Sequence, residues 1–351
     1  MRRLVAVVVS VLTGLVLLAP TAGPAAAAGT SYVALGDSYS SGTGTRSYLS
    51  DGTTCQRSAY AYPSLIATRS SLALNFRACS GAKVADVSSL QLPALSSTTS
   101  YVTLTVGGND AGFASVLTEC AKPSWASNCN AAVDRAQSII RTQLPAGLTA
   151  LYKAIRTRAP QARVVVAGYP RIFNGEDCNL LTWFSPTEEA RLNATADLLN
   201  STIQAAVAGS GAGLTYSSPT ARFVSHAVCD DVEWLNGLAS PTSESFHPNR
   251  SGHASGYYPL VSTALTGSAP ATTLSASQAA VVSEQLAVQQ RRYADRDRAI
   301  QPAVVTIPDL RSPEIERAAA RAGVDLRSRA SIDAADRRYA WKQAQEHAAR
   351  S

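Results

Sequence analysis

Short apolar runs alternate with longer mixed segments along most of the chain. The runs are rich in β-branched and aromatic residues and are bounded by polar or glycine-containing stretches, which is typical of buried strands. The pattern predicts strands at residues 32–35, 72–76, 101–106, 163–167 and 214–216. Because alternating strands and helices favour a parallel sheet with helices on both faces, we expect an α/β fold.

Two of the mixed segments, 133–158 and 186–208, have helical patterns. The second has a clear start, with Ser185 as the N-cap and Pro186 at the first helical position, and it ends near Gly209. A third helix is expected after His247-Pro248, extending toward residue 265.

The N-terminus has a different character. Arg2 and Arg3 precede an apolar run that is followed by Ala25-Ala26-Ala27-Ala28. This order predicts a secretory signal peptide at residues 1–28, cleaved after Ala28, and therefore a secreted protein. The alternative is an uncleaved membrane anchor, for which the run is barely long enough. No later segment is long and apolar enough to span a bilayer.

The C-terminal part also stands apart. Beyond residue 270, charged residues of both signs become more than twice as frequent, and alanine is abundant. We therefore divide the mature chain into a main domain at 29–268 and a charged extension at 269–351. The extension is expected to be helical or partly disordered and largely solvated, with a helix beginning at Pro313. An independent binding module is the alternative.

Cysteine and charge content restrict the functional class. An exported chain with six cysteines predicts three disulfides, and six cysteines allow many pairings. Sequence proximity suggests Cys55–Cys79, Cys120–Cys129 and Cys178–Cys229, and no spacing is typical of a zinc site. The formal charge of +6 is spread along the chain, so nucleic-acid binding has little support.

A candidate nucleophile follows the first predicted strand. There the sequence reads Gly36-Asp37-Ser38-Tyr39-Ser40-Ser41-Gly42, which would hold Ser38 on a tight turn at the end of a strand. Open α/β folds bind ligands at this edge of the sheet. A serine hydroxyl is a weak nucleophile until a base takes its proton, so a histidine must lie within hydrogen-bond reach.

His247 is the best candidate for that base among the four histidines. It lies in a loop, Ser245-Phe246-His247-Pro248, and loops can aim a side chain into a cleft. The others have simpler explanations: His253 lies on the following helix, His226 is near Cys229, and His347 is in the extension.

Donors for an oxyanion follow two further strands. The third strand leads into Gly107-Gly108-Asn109, where the Asn109 amide can donate a hydrogen bond. Gly81 follows the second strand, and its N–H is a further candidate donor. Each motif alone is more often an ordinary turn. Parallel strands, however, would bring all these strand ends to one edge of the sheet.

The Gly36–Gly42 block, Gly81, the Gly107–Asp110 block and the His247-Pro248 segment together resemble the four sequence blocks of the SGNH (GDSL-type) hydrolases. The chain looks most like the secreted lipases and esterases of Streptomyces-type actinobacteria. The resemblance implies a flavodoxin-like three-layer α/β/α fold and ester hydrolysis without a metal or organic cofactor. It also implies Ser38 as nucleophile, His247 as base, and an oxyanion hole from the Ser38 N–H, the Gly81 N–H and the Asn109 side chain.

One position departs from the family pattern. The family commonly has Asp three residues before the histidine, and this chain has Glu244 there. Either the Glu244 carboxylate orients His247, or the Ser245 main-chain carbonyl does so and leaves a catalytic dyad. A neutral acceptor can partly substitute for a carboxylate behind a histidine, and we expect the Ser245 carbonyl to hold this place.

We therefore expect a secreted, monomeric serine ester hydrolase that cleaves carboxylic esters of fatty acids, with a lipid or small ester as its partner. The alternatives are a phospholipase of the A type and a carbohydrate acetylesterase with the same machinery. The non-enzymatic alternative is a wall- or glycan-binding module with a degenerate site.

Overall fold

The computed structural model describes residues 30–349. The predicted signal peptide, residues 1–28, lies outside the described residues.

A parallel sheet of five strands forms the centre of the molecule, with the strand order β2-β1-β3-β4-β5. The chain leaves β1 toward one edge of the sheet and returns to β1's other side for β3, so the direction of winding changes between β1 and β3. The strands are β1 (Ser31–Ala34), β2 (Ala73–Phe76), β3 (Tyr101–Leu104), β4 (Arg163–Ala167) and β5 (Leu214–Ser217).

The main-domain helices cover this sheet. One group pairs α2 with α8, and the other contains α5, α6 and α7, which contact one another. The predicted flavodoxin-like three-layer fold is confirmed. The helices are α1 (Ser38–Ser41), α2 (Tyr62–Ser70), α3 (Val84–Asp86, continued by a π-helical turn at Val87–Gln91), α4 (Phe113–Cys120), α5 (Cys129–Thr142), α6 (Leu144–Arg158), α7 (Pro186–Ala208) and α8 (Tyr258–Thr266, preceded by a π-helical turn at Gly252–Tyr257).

The helix predicted at 133–158 is in fact two helices, because α5 ends at Thr142 and α6 begins at Leu144. Pro145 lies in the first turn of α6, where its missing N–H costs nothing, but it cannot continue an existing helix. The prediction for α7 is right at both ends. Its Ser185 side chain accepts a hydrogen bond from the Glu188 N–H, and Glu188 bonds back to the Ser185 N–H.

Three disulfides join Cys55 to Cys79, Cys120 to Cys129 and Cys178 to Cys229, the pairs that sequence proximity suggests. The first lies beside the second strand and the third joins two loops on the side of the sheet where β4 and β5 end. Loop closure of this kind stabilises the folded state mainly by restricting the unfolded chain.

The extension is helical and most of its residues are exposed or half-buried, as expected of a solvated segment, but it also packs against the main domain. Leu286, Ala287, Ile300 and Val305 are buried in the main core. The helices are α9 (Ala276–Arg291), α10 (Ala294–Asp297), α11 (Pro313–Ala322) and α12 (Arg329–Ala348).

The helix predicted to begin at Pro313 does so, and its apolar residues show how the extension packs. Ile315, Ala318 and Ala319 follow the i, i+3, i+4 spacing of one helical face, and they pack with Trp125 and Trp183 of the main domain. The charged residues of α11 are exposed, so a high charge content does not show that one face of this helix is buried.

Candidate active site

Ser38 lies just beyond the carboxyl end of β1, on a turn that only glycine permits. Gly36 has a φ of 117°, and a Cβ there would lie 2.3 Å from the carbonyl oxygen of Thr105 on the neighbouring strand end. The chain can therefore turn tightly against β3 and begin α1 at Ser38. As the first residue of a helix, Ser38 has no intrahelical acceptor for its N–H.

Ser38 and His247 meet directly. The Nε2 atom of His247 lies 2.9 Å from the Oγ atom of Ser38. The serine side chain is buried except where it faces the cavity beside it, with 6% of the residue exposed. A hydroxyl and an imidazole at this separation can share a proton.

A main-chain carbonyl orients the imidazole. The Nδ1 atom of His247 lies 2.9 Å from the carbonyl oxygen of Ser245. Since a carbonyl only accepts, this contact puts the proton of a neutral ring on Nδ1 and leaves Nε2 free to accept from Ser38. Phe246, between them, has a φ of 60°, and Tyr39 donates a hydrogen bond to its carbonyl at 2.8 Å. Tyr39, the residue after Ser38, thus stabilises the turn that orients the His247 side chain.

Glu244 faces another way. Its carboxylate accepts a hydrogen bond from the Tyr48 hydroxyl at 2.6 Å and lies 3.4 Å from Nε of Arg46. The carboxylate is buried, and its contacts tie the histidine loop to the 44–48 loop. Of the two orienting groups left open by the sequence, the geometry favours the Ser245 carbonyl.

Burial lowers the pKa of the His247 imidazole to about 4, and the hydrogen bond to Ser245 offsets part of this shift. His247 is half-buried, and it lines the cavity beside Ser38. The histidine is therefore neutral near pH 7 and available as a proton acceptor.

A buried carboxylate behind the serine was not predicted as part of the site. Asp37 accepts hydrogen bonds from Thr105 at 2.6 Å and from Tyr169 at 2.5 Å, and so it joins the ends of β1, β3 and β4. Burial raises the pKa of Asp37 to about 6, although these hydrogen bonds favour its charged form. In the sequence, only its position directly before Ser38 indicates that Asp37 belongs to the site.

The two candidate oxyanion donors have different surroundings. Asn109 lines the cavity, and its side-chain amide donates to the carbonyl of Ala82 at 3.1 Å, which fixes the amide and leaves its other N–H available. Gly81 is buried with a φ of 87° and is not among the residues that line the cavity. The space that a Cβ of residue 81 would occupy is instead filled by the backbone of Gln301 and Pro302.

The cavity beside Ser38 and His247 has a volume of about 60 Å³. Its walls are mostly apolar, as a site for a hydrocarbon chain requires. Besides the residues already described, its apolar lining comprises Phe113, Ala114, Leu117, Pro170, Ile172, Ala196, Leu199, Ala303 and Val305.

The remaining histidines lie elsewhere. His253 is fully buried, and its Nδ1 accepts a hydrogen bond from the Tyr62 N–H at 3.3 Å. Burial lowers its pKa to about 3. His226 stacks on Trp234 with the ring centroids 3.7 Å apart. His347 is on α12, in the extension.

Comparison with known proteins agrees with this site. Residues 34–255 match the model of the GDSL-like lipase/acylhydrolase family. A lipase from Streptomyces rimosus is 40% identical over 237 residues, which cover 67% of this chain and 87% of that protein. The chain therefore belongs to the GDSL-like lipase/acylhydrolase family, and the prediction of an SGNH-type ester hydrolase is confirmed.

Two solved structures are similar to this one. The crystal structure of an extracellular lipase from S. rimosus has a TM-score of 0.63 at 39% identity, and that of phospholipase A1 from Streptomyces albidoflavus NA297 has a TM-score of 0.63 at 42% identity. Each match covers 67% of this chain and 99% of the solved chain. About a third of this chain therefore has no counterpart in either structure, and the family match ends before the extension begins.

Among residues 30–349, no helix combines the length and the apolar character needed to cross a bilayer.

Proposed function

We propose that this protein hydrolyses carboxylic esters of fatty acids through an acyl-enzyme on Ser38, with His247 as the general base. The observation that carries the proposal is the 2.9 Å contact between Ser38 Oγ and His247 Nε2, two residues that line a mostly apolar cavity. A serine nucleophile, an oriented base and an acyl-binding wall are the parts that acyl transfer needs.

In the first step, His247 takes the hydroxyl proton as Ser38 Oγ attacks the ester carbonyl. The carbonyl oxygen becomes an oxyanion, for which the Asn109 side chain and the Ser38 N–H, both at the cavity, are the proposed donors. The Gly81 N–H is proposed as a third donor from the family resemblance alone, since Gly81 does not line the cavity. The intermediate collapses when His247 gives its proton to the leaving alcohol. Water, activated by the same histidine, then releases the fatty acid and restores the serine.

The base works as a dyad in this proposal. A carboxylate behind a catalytic histidine fixes its tautomer and stabilises the imidazolium ion. The Ser245 carbonyl can fix the tautomer in the same way, and its dipole supplies part of the stabilisation. The low pKa of His247 fits this arrangement, because a neutral acceptor favours the charged ring less than a carboxylate does.

The named relatives support lipid esters as substrates. One is a lipase and another a phospholipase A1, both at about 40% identity. The phospholipase at 42% identity also makes cleavage of phospholipid acyl esters the second candidate function. The same relatives, one of them described as extracellular, together with three disulfides, support our proposal that the protein is secreted.

The test is hydrolysis by the purified protein of four substrates: a series of nitrophenyl esters, a triglyceride emulsion, phosphatidylcholine and acetylated xylan. We expect activity on the acyl esters and its loss in Ser38→Ala. Ser201→Ala, which changes an exposed serine of α7, is the matched control and should retain wild-type rates. Activity on xylan alone, or equal activity of Ser38→Ala, would contradict the proposal.

A further inference from the structure

The C-terminal extension reaches the candidate active site. Ala303 and Val305 lie in the segment between α10 and α11, and both line the cavity that also contains Ser38 and His247. Val305 is 3% exposed and belongs to the main hydrophobic core. Val304, between them, is 40% exposed and is not among the cavity-lining residues. The segment 301–305, which we call the strap, thus alternates its side chains between the cavity and the surface.

The strap is pressed against the candidate oxyanion donor. A Cβ added to Gly81 would lie 2.0 Å from the carbonyl oxygen of Gln301 and 2.8 Å from the Cα of Pro302. Only a glycine lets the two backbones approach so closely. The strap therefore lies between the backbone of Gly81 and the cavity, to whose lining it adds Ala303 and Val305 beside side chains of α4 and α7.

Both ends of the strap are tied to the main domain. Just before it, the fully buried Asp297 pairs with Arg57 and Arg77, each at 2.5 Å, and both arginine side chains are also fully buried. Just after it, the Thr306 N–H donates to the hydroxyl of Thr118 on α4 at 3.0 Å. A segment held at both ends in this way forms a fixed wall rather than a mobile cover.

We propose that the strap is a specificity element, in which Ala303 and Val305 set the length of acyl chain that the enzyme accepts. This inference rests on the proposed function, since it assigns a role to one wall of the same site. The strap lies outside residues 34–255, which match the family model, so these two side chains of the pocket come from outside the matched part of the chain.

The test compares kcat/KM for nitrophenyl acetate, butyrate, octanoate and palmitate. Val305→Ala removes bulk from the wall and should raise the octanoate-to-butyrate ratio. Ala303→Leu adds bulk at a half-buried position and should lower that ratio. A single methylene in an apolar pocket changes discrimination by roughly tenfold or more, and we expect shifts of that order. Val304→Leu, one position away on the exposed side, should keep the wild-type ratio.

Urea unfolding of each variant shows which of them are folded, and Ala303→Leu provides the test if Val305→Ala is not. Opposite shifts in the two strap variants, with no shift in Val304→Leu, would support the inference. A wild-type ratio in folded Ala303→Leu, or an equal shift in Val304→Leu, would overturn it and leave the proposed function intact. A wild-type protein inactive on every ester would instead overturn the proposed function, and this inference with it.

Discussion

His247 Nε2 and Ser38 Oγ lie 2.9 Å apart, although 209 positions separate the two residues in the chain. The contact depends on the winding of the sheet, because Ser38 follows β1 and the histidine loop lies across the same edge. It also depends on Tyr39, whose hydroxyl bonds to the carbonyl of Phe246 and so connects the neighbours of the two residues directly. Ser38 and His247 are therefore positioned by one shared contact as well as by the fold.

Glu244→Gln should reduce kcat/KM only a few-fold, because His247 Nδ1 already has the Ser245 carbonyl as its acceptor. The glutamine can still accept from Tyr48, which keeps the loop contact. His247→Ala, by contrast, should lower kcat by about three orders of magnitude or more, the loss typical of removing a catalytic base. Steady-state kinetics on nitrophenyl butyrate measure both. A Glu244→Gln loss as large as that of His247→Ala would contradict the dyad.

The pH dependence of kcat/KM should have its acid limb near pH 4. His247 acts as a base only when neutral, and burial lowers its pKa to about 4, so activity should persist below pH 6.5 and fall as the ring takes up a proton near pH 4. Asp37, whose pKa burial raises to about 6, also lies near Ser38. Because the limb is assigned to His247, Asp37→Asn should leave it in place. A limb near pH 6.5 would contradict the account.

Asp297→Asn should destabilise the protein by about 3–5 kcal/mol, because it leaves the buried Arg57 and Arg77 without their shared carboxylate. Arg57 keeps its contact with Asp51, which limits the loss. The free energy of unfolding in urea measures it. Asp295→Asn is the matched control, since that aspartate pairs with Arg298 at the surface and should change stability little. Equal effects of the two substitutions would mean that the extension is not anchored through Asp297.

Gly36→Ala should cost about 3 kcal/mol or more and remove most activity. Its new methyl group would meet the Thr105 backbone and displace the turn that carries Ser38. Gly267→Ala separates the effect of backbone strain from that of the clash. Gly267 also has a positive φ, of 84°, but a Cβ there would meet nothing within 4 Å, so the cost should be about 1–2 kcal/mol, with activity unchanged. Similar activities for the two variants would contradict this role of Gly36.

The sequence predicts the strands well, because each is a short β-rich run, and the three central strands are buried beyond their first residue. The predicted strand at 163–167 coincides with β4, and β3 begins at Tyr101 as predicted. The break between α5 and α6 was missed, since a proline is also compatible with a first helical turn within one long pattern.

The packing of the extension on the main domain is not predictable from the sequence. Gln301-Pro302-Ala303-Val304-Val305 reads as a linker, and Asp297 reads as one more solvated charge, because neither has a periodic signal. Their contacts with the main domain are made with Gly81 and the two arginines, which are far away in the sequence. Long-range contacts of this kind are decided by tertiary structure. The same holds for the group that orients His247. Glu244 and Ser245 are neighbours in the sequence, and only the structure shows that the Ser245 carbonyl faces the imidazole while the Glu244 carboxylate faces Tyr48.

Labelling with a fluorophosphonate shows whether Ser38 is the nucleophile, as we propose. The reagent forms a covalent bond with a serine activated by a base, and mass spectrometry of the digested protein identifies the modified residue. We predict a single label on Ser38, lost in His247→Ala and unaffected in Glu244→Gln. Absence of a label, or a label on Ser40 or Ser41 instead, would contradict the account.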